Sequence, residues 1–196
     1  WNTSQANGIG DNGMVEIYLG NASGLDAQSW WNQTGNEGDA FGWKIEEIPA
    51  MNGDEFADLA VVSGNYSAVI ATTPSEIIHK GKISIFEGDL SGMTHLRNIS
   101  QTQEKTRLGQ SLSGSGDLNG DGYDDILIGV MRLQYGTWNS VNRTAKPILL
   151  MYNPTLNIYE VSQTFKSVAS NHIWPRQGAI ADFDGDGRND IFVGDK

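Results

Sequence analysis

The segment DLNGDGYDDILIGV, residues 117–130, concentrates acidic and amide side chains in a short loop and then becomes abruptly apolar. Five residues fall at alternate positions of this loop, which we number 1, 3, 5, 7 and 9: Asp117, Asn119, Asp121, Tyr123 and Asp125. Because alternate residues of a tight loop point inward, three side-chain oxygens, the position 7 backbone carbonyl and the position 9 carboxylate can converge on one hard cation. The loop therefore predicts a Ca²⁺ site, and the apolar run predicts a buried strand.

The loop recurs in the chain. Sixty-five residues later, the same positions hold Asp182, Asp184, Asp186, Arg188 and Asp190. An earlier loop, residues 50–58, is incomplete because Ala50 replaces the position 1 aspartate and Glu55 replaces the position 6 glycine. Its remaining candidate ligands are Asn52, Asp54 and Asp58. We predict two Ca²⁺ sites and a third, degenerate loop that keeps its turn and has lost its ion.

Other loop types fit this pattern less well. An EF-hand requires a bidentate glutamate at position 12 and flanking helices, but position 12 is Ile128 or Val193, inside a β-type apolar run. A dockerin-type loop is excluded for the same reason. Mg²⁺ is a weaker candidate because it prefers a compact octahedron that includes several waters. An Asx-rich turn without metal remains the alternative.

Self-similarity extends beyond the loops and indicates the fold class. FGWKIEEIPAMNGDEFADLAVV, from Phe41, aligns without a gap with the segment that begins 67 residues later at Leu108. GMVEIYLGNASGL, from Gly13, aligns with GKISIFEGDLSGM, from Gly81. Apolar runs are short, β-branched and bounded by turn residues, which is typical of strands. We predict an all-β fold in which each repeat of about 67 residues forms a propeller blade of four antiparallel strands.

These repeats divide the chain into two full blades and two half blades of a single propeller segment. We predict a half blade at 1–40, blades at 41–107 and 108–174, and a half blade at 175–196. Three blade equivalents cannot close a ring, since propellers typically contain about four to eight blades. We expect a part of a larger propeller; the alternative is self-association of copies whose incomplete blades complete each other.

Charge and sequons constrain the partners. The formal charge is −11, from 13 Lys plus Arg against 24 Asp plus Glu, which disfavours nucleic acid and anionic lipid as partners. No apolar run approaches the length of about 20 residues that spans a bilayer, so we expect no membrane insertion of this segment. Six sequons predict a glycosylated protein outside the cell or at its surface: Asn2, Asn21, Asn32, Asn65, Asn98 and Asn142.

The motifs resemble a known repeat family. The dipeptide Phe41-Gly42, the D-x-[ND]-G-D-G-x-x-D loops and the strands ILIG and IFVG resemble the FG-GAP repeats of integrin α-subunit propellers and related extracellular proteins. The resemblance covers nearly the whole chain in three copies, although the second copy carries Leu108-Gly109 in place of FG. It implies a β-propeller with structural Ca²⁺ loops between the first two strands of a blade, and partner binding by other loops.

No motif indicates catalysis, and we predict a module that is not an enzyme. The acidic side chains are assigned to a cation, and no nucleophile or phosphate-binding fingerprint occurs. We predict a calcium-stabilised structural, adhesive or protein-interaction module with a protein or glycan partner. A propeller lectin is the alternative, since tryptophans such as Trp138 could stack on sugars; the non-catalytic propeller of a secreted enzyme is another. The segment 132–146 is the best candidate for an exposed binding loop.

Overall fold

A computed structural model describes residues 12–49, 51–70, 76–79, 81–100, 106–133, 143–164 and 177–194. These ranges contain sixteen strands and no helix. The first ten are β1 (Met14–Ile17), β2 (Gly20–Asn21), β3 (Gly24–Leu25), β4 (Trp31–Thr34), β5 (Phe41–Ile48), β6 (Asp58–Ser63), β7 (Ser67–Ile70), β8 (Glu76–His79), β9 (Lys82–Asp89) and β10 (Gly92–Ser100). The others are β11 (Thr106–Gly116), β12 (Asp125–Leu133), β13 (Arg143–Asn153), β14 (Ile158–Thr164), β15 (Gln177–Ala181) and β16 (Asp190–Gly194).

Two four-stranded antiparallel sheets with the same connectivity dominate the fold. The first has the order β5-β6-β9-β10 and the second the order β11-β12-β13-β14. Each is a meander in which consecutive strands are neighbours, apart from the hairpin inserted between β6 and β9. The predicted all-β, antiparallel fold is confirmed. The four strands predicted for the first repeat, at 41–47, 59–63, 82–87 and 95–100, are found as β5, β6, β9 and β10, with shifts of at most three residues at their ends.

Each end of the described chain carries a two-stranded sheet. At the amino-terminal end β1 pairs with β4, and at the carboxyl-terminal end β15 pairs with β16. By the repeat alignment, β1 corresponds to β9 and β13, whereas β16 corresponds to β6 and β12. One end therefore presents the second half of a repeat and the other end presents the first half.

The insertion after the second strand of each sheet forms β structure that the sequence reading missed. In the first repeat, β7 and β8 pair as a hairpin between β6 and β9. In the second repeat, β12 and β13 extend past the sheet, with Arg132 opposite Thr144 and Leu133 opposite Arg143. The expectation of a loop over all of 132–146 is therefore wrong at both ends. Its centre, 134–142, lies outside the described residues, as do Tyr135 and Trp138.

The main core lies between the two four-stranded sheets. Ala60 and Ile85 from the first sheet belong to the same buried cluster as Ile126 and Leu150 from the second. A second cluster, on the opposite face of the first sheet, joins Val61 and Phe86 to side chains from β1 and β5. Since apolar side chains are buried on both faces of the first sheet, each sheet is stabilised by the neighbours packed against it.

Candidate metal centre

The three acidic loops occupy equivalent places in the fold. Each joins two neighbouring antiparallel strands: residues 50–58 between β5 and β6, residues 117–125 between β11 and β12, and residues 182–190 between β15 and β16. Each following strand begins at the position 9 aspartate. The sheet therefore fixes the end of each loop, and all three loops start from the same strand pair of their repeat.

The position 1 carboxylate organises the loop by accepting backbone hydrogen bonds. Asp117 accepts from the Gly120 amide at 2.6 Å and from the Gly122 amide at 2.8 Å. Asp182 accepts from the corresponding Gly185 and Gly187 amides at 2.7 and 2.8 Å. These bonds hold the pKa of Asp182 below its ordinary value, because they favour the ionised carboxylate. The glycines adopt positive φ, which lets the chain wrap around the carboxylate.

Positions 3 and 5 form successive Asx turns. The Asp121 amide donates to Asn119 Oδ1 at 2.8 Å, and the Tyr123 amide donates to Asp121 Oδ1 at 3.0 Å. In the loop at 182–190, Asp184 and Asp186 accept the matching bonds at 3.1 and 2.9 Å. Backbone bonding thus shapes both loops, while each carboxylate keeps acceptor capacity for a further partner.

The position 9 carboxylate is buried where the loop enters the sheet. Asp125 accepts from the Leu118 amide at 3.0 Å and from the Tyr152 amide, on β13, at 3.2 Å. Burial raises its pKa to about 6, against the lowering effect of these two bonds. Because this pKa exceeds that of an exposed aspartate, Asp125 in the folded protein without a cation binds a proton between pH 3.8 and about 6, where the unfolded chain has released it. A cation would instead favour the ionised form.

Three carboxylates converge in the loop at 182–190. One oxygen each from Asp182, Asp184 and Asp190 lies within 4.8 Å of the other two. A cation with ligands at 2.3–2.6 Å accommodates oxygens at such separations. The structure therefore brings positions 1, 3 and 9 together, whereas the Asp186 carboxylate lies outside this group. In the loop at 117–125 the same three positions are Asp117, Asn119 and Asp125.

The loop at 50–58 keeps the Asx turns of the other two loops, but its asparagine also contacts a carboxylate on a neighbouring strand. Asp54 and Phe56 donate backbone bonds to Asn52 and Asp54, as in the other loops. The Asn52 amide nitrogen lies 2.8 Å from an oxygen of Asp54 and 2.8 Å from an oxygen of Glu87, on β9. Ala50 lies outside the described residues and supplies no carboxylate. An N–H donor thus lies between two carboxylates here, whereas in the loop at 117–125 the corresponding Asn119 nitrogen lies 2.9 Å from an oxygen of Asp121.

Position 9 of that loop is also buried. Asp58 accepts from the Gly88 amide at 2.9 Å, while its other carboxylate oxygen is buried and accepts no hydrogen bond from the described residues. Burial raises its pKa to about 6, and the charges of Asp54 and Glu87 add to the effect. A buried position 9 carboxylate is therefore common to the first two loops, whereas Asp190, at position 9 of the third loop, is exposed.

Neighbouring loops touch, which the sequence did not indicate. The Tyr123 ring lies against Gly53, so that the loop at 117–125 packs on the loop at 50–58. The Asn189 amide donates to the Asp117 backbone carbonyl at 2.9 Å, which links the loop at 182–190 to the loop at 117–125. The three loops therefore form a row along one end of the packed sheets.

The other predicted sites are distributed over the surface. Asn21, Asn32 and Asn98 are exposed, Asn65 is partly buried, and Asn2 and Asn142 lie outside the described residues. Trp31 packs edge-on against Phe86, with ring centroids 5.2 Å apart. None of the described ranges contains a helix long and apolar enough to cross a membrane.

A comparison with protein families agrees with the repeated loops. Residues 117–193 match the family model described as an FG-GAP-like repeat. The chain carries an FG-GAP-like repeat. The match begins at the first residue of the loop at 117–125 and ends at Val193, in the strand that follows the loop at 182–190. FG-GAP-like repeats indicate a β-propeller-type protein-interaction module and are common in extracellular proteins.

Proposed function

We propose that this chain is a segment of an extracellular, calcium-stabilised β-propeller that serves as a structural, adhesive or protein-interaction module and has no catalytic role. The observation that carries the proposal is the group of three carboxylate oxygens from Asp182, Asp184 and Asp190. The sheets are the blades of this propeller. This assignment is supported by the identical strand order of the two four-stranded sheets and by the apolar core that lies between them.

Calcium is supported by chemistry and by charge. The loop offers carboxylate, amide and backbone carbonyl oxygens, which are the ligands that hard cations take. Without a cation, converging carboxylates repel one another, and the repulsion grows where burial lowers the local dielectric, as at Asp125. A Ca²⁺ ion at each intact loop would remove this repulsion.

Two matched variants test the calcium assignment. Asp121 and Asp54 share position 5 and make the same local bonds: each accepts from the amide two residues later and from the asparagine at position 3. Asp121→Asn and Asp54→Asn therefore change the same two local bonds in their loops. We expect Asp121→Asn alone to reduce Ca²⁺ binding, by about one site in isothermal titration calorimetry, because only that loop retains the position 1 aspartate.

The melting temperatures of the two variants also distinguish the loss of a bound ion from a change in the turn structure of the loop. Equal melting temperatures in EDTA, together with a lower melting temperature of Asp121→Asn in Ca²⁺, would support a bound ion. Equal titration curves for the two variants and the unmodified chain would exclude a Ca²⁺ site at residues 117–125.

An extracellular location predicts that the chain carries N-linked glycans. Exposed sequons lie at Asn21 on β2, at Asn32 on β4 and at Asn98 on β10. When the chain is directed into the secretory pathway of a eukaryotic cell, we expect an N-glycosidase to reduce its apparent mass, and Asn21→Gln with Asn32→Gln to diminish that shift. A mass that the enzyme leaves unchanged would contradict the glycosylated form.

A further inference from the structure

Two of the acidic loops contain an Asn-Gly pair at positions 3 and 4. The pairs are Asn52-Gly53 in the loop at 50–58 and Asn119-Gly120 in the loop at 117–125. Asn-Gly pairs deamidate spontaneously, because glycine has no Cβ to hinder attack by its backbone nitrogen on the asparagine side chain. The flanking residues are also alike, MNGD and LNGD. The intrinsic reactivity of the two pairs is therefore similar, and a difference between them in the folded chain would come from the structure of the loops.

The residue at position 1 distinguishes the two pairs. Asp117 Oδ1 accepts a hydrogen bond from the Gly120 amide at 2.6 Å. Position 1 of the other loop is Ala50, whose side chain has no acceptor, so it cannot hold the Gly53 amide in the same way. The Gly120 nitrogen must break a hydrogen bond to a charged group before it can attack, and it must lose its proton beside a carboxylate, which is unfavourable. No side chain at position 1 imposes these costs on Gly53.

The contacts of the Asn52 side chain favour the reaction. Its Oδ1 accepts from the Asp54 amide at 3.0 Å, a donor that stabilises negative charge developing on this oxygen. Its Nδ2 lies 2.8 Å from an oxygen of Asp54 and 2.8 Å from an oxygen of Glu87, and these carboxylates favour positive charge on a departing nitrogen. Gly53 is exposed, so that water reaches the pair.

We propose that Asn52 is a site of spontaneous deamidation in the folded chain, and that Asp117 protects Asn119 from the same reaction. The Gly53 nitrogen loses its proton and bonds to Asn52 Cγ. The bond between Cγ and Nδ2 breaks, and ammonia leaves with that proton, which gives a cyclic succinimide. Water then opens the ring at one of its two carbonyls and gives aspartate or isoaspartate. The net reaction consumes one water, releases one ammonia and requires no other reactant.

The product changes the contacts of the loop at 50–58. Asn52 Nδ2 is a donor that lies between two carboxylates. Deamidation replaces it with an oxygen, so that a third carboxylate lies beside Asp54 and Glu87. Like charges at these distances repel one another. The modification is therefore expected to release the loop from Glu87 on β9, and it adds one negative charge to an already acidic chain.

Peptide mapping by mass spectrometry tests the site. The 196-residue chain is incubated at neutral pH in EDTA, and conversion is followed at both pairs. We expect Asn52 to react about tenfold faster than Asn119 or more, since a hydrogen bond to a charged group must break first at Gly120. Exposure alone predicts the opposite order, because Asn119 is exposed and Asn52 is partly buried. In urea, where the loops are unfolded, the two rates are expected to be equal.

Exchange of the position 1 residues tests the cause. Ala50→Asp is expected to slow deamidation at Asn52 to the rate of Asn119, and Asp117→Ala to raise the rate at Asn119 toward that of Asn52. Ala57→Asp adds the same charge to an exposed position of the same loop and should leave the rate at Asn52 unchanged. Equal rates at the two pairs in the folded chain, or a rate at Asn52 that Ala50→Asp does not reduce, would overturn the inference. Because every measurement is made in EDTA, its outcome is independent of the calcium assignment.

Discussion

Removal of Ca²⁺ with excess EDTA is expected to lower the melting temperature of this chain by about 10–20 °C. A ligand that binds only the folded state at 100 times its Kd stabilises it by about 2.7 kcal/mol. Two sites with a Kd on the order of 10⁻⁴ M would each approach that value at about 10 mM Ca²⁺. In proteins of this size, 1 kcal/mol corresponds to about 2–4 °C. Differential scanning calorimetry with and without the chelator measures the shift.

Selectivity distinguishes a bound ion from general charge screening. The chain is strongly acidic, so any added salt reduces repulsion among its carboxylates. We expect Ca²⁺ to restore the melting temperature after chelation and equimolar Mg²⁺ to restore less, because Mg²⁺ requires a compact octahedron. Combining Asp121→Asn with Asp184→Asn, which changes one of the three converging carboxylates, should remove most of the response. An unchanged melting temperature in EDTA would contradict the assignment.

The repeat alignment predicted those features of the structure that depend on interactions between residues close in sequence. Position 1 aspartates and their glycines form the same turn wherever they occur together, as at Asp117 and Asp182, because the bonds lie within a few residues. Strand β9 also followed from local alternation, although it ends at Asp89 and not at Glu87, where the alternation predicted its end. The hairpin of β7 and β8 was missed, even though AVI and EII flank a turn-like segment at 71–75.

Other features depend on contacts between repeats, which a sequence does not display. Nothing at Asn189 alone indicates a bond to Asp117, which is 72 residues away. The same limit applies to Glu87: its role beside Asn52 depends on the register of β9 against β6. The alignment also showed that Gly13 and Gly81 match, but only the packing gives the reason, since each lies against the first strand of the next sheet.

Gly81→Ala is expected to destabilise the fold by about 3 kcal/mol or more. Gly81 has φ +68, and a Cβ there would overlap the backbone carbonyl oxygen of Leu108 on β11. A left-handed backbone costs an alanine about 1–2 kcal/mol, and overpacking adds about 1–3 kcal/mol. The clash falls on backbone, which cannot rotate away, so relief requires the two sheets to separate. Urea denaturation in EDTA measures the effect without a contribution from bound ions.

Substitutions at other glycines distinguish the cost of the left-handed backbone from the cost of the clash between the sheets. Gly38 has φ +78 but open space around its Cβ position within the described part of the chain, so Gly38→Ala should cost about 1 kcal/mol from the backbone alone. Gly20 has neither a positive φ nor a close neighbour in the described ranges, and Gly20→Ala should change stability little. Gly13→Ala should resemble Gly81→Ala, because its Cβ would overlap the Phe41 carbonyl at the equivalent junction. If Gly81→Ala and Gly38→Ala had equal effects, the close contact between sheets would be refuted, and with it the packing that sets the three loops side by side.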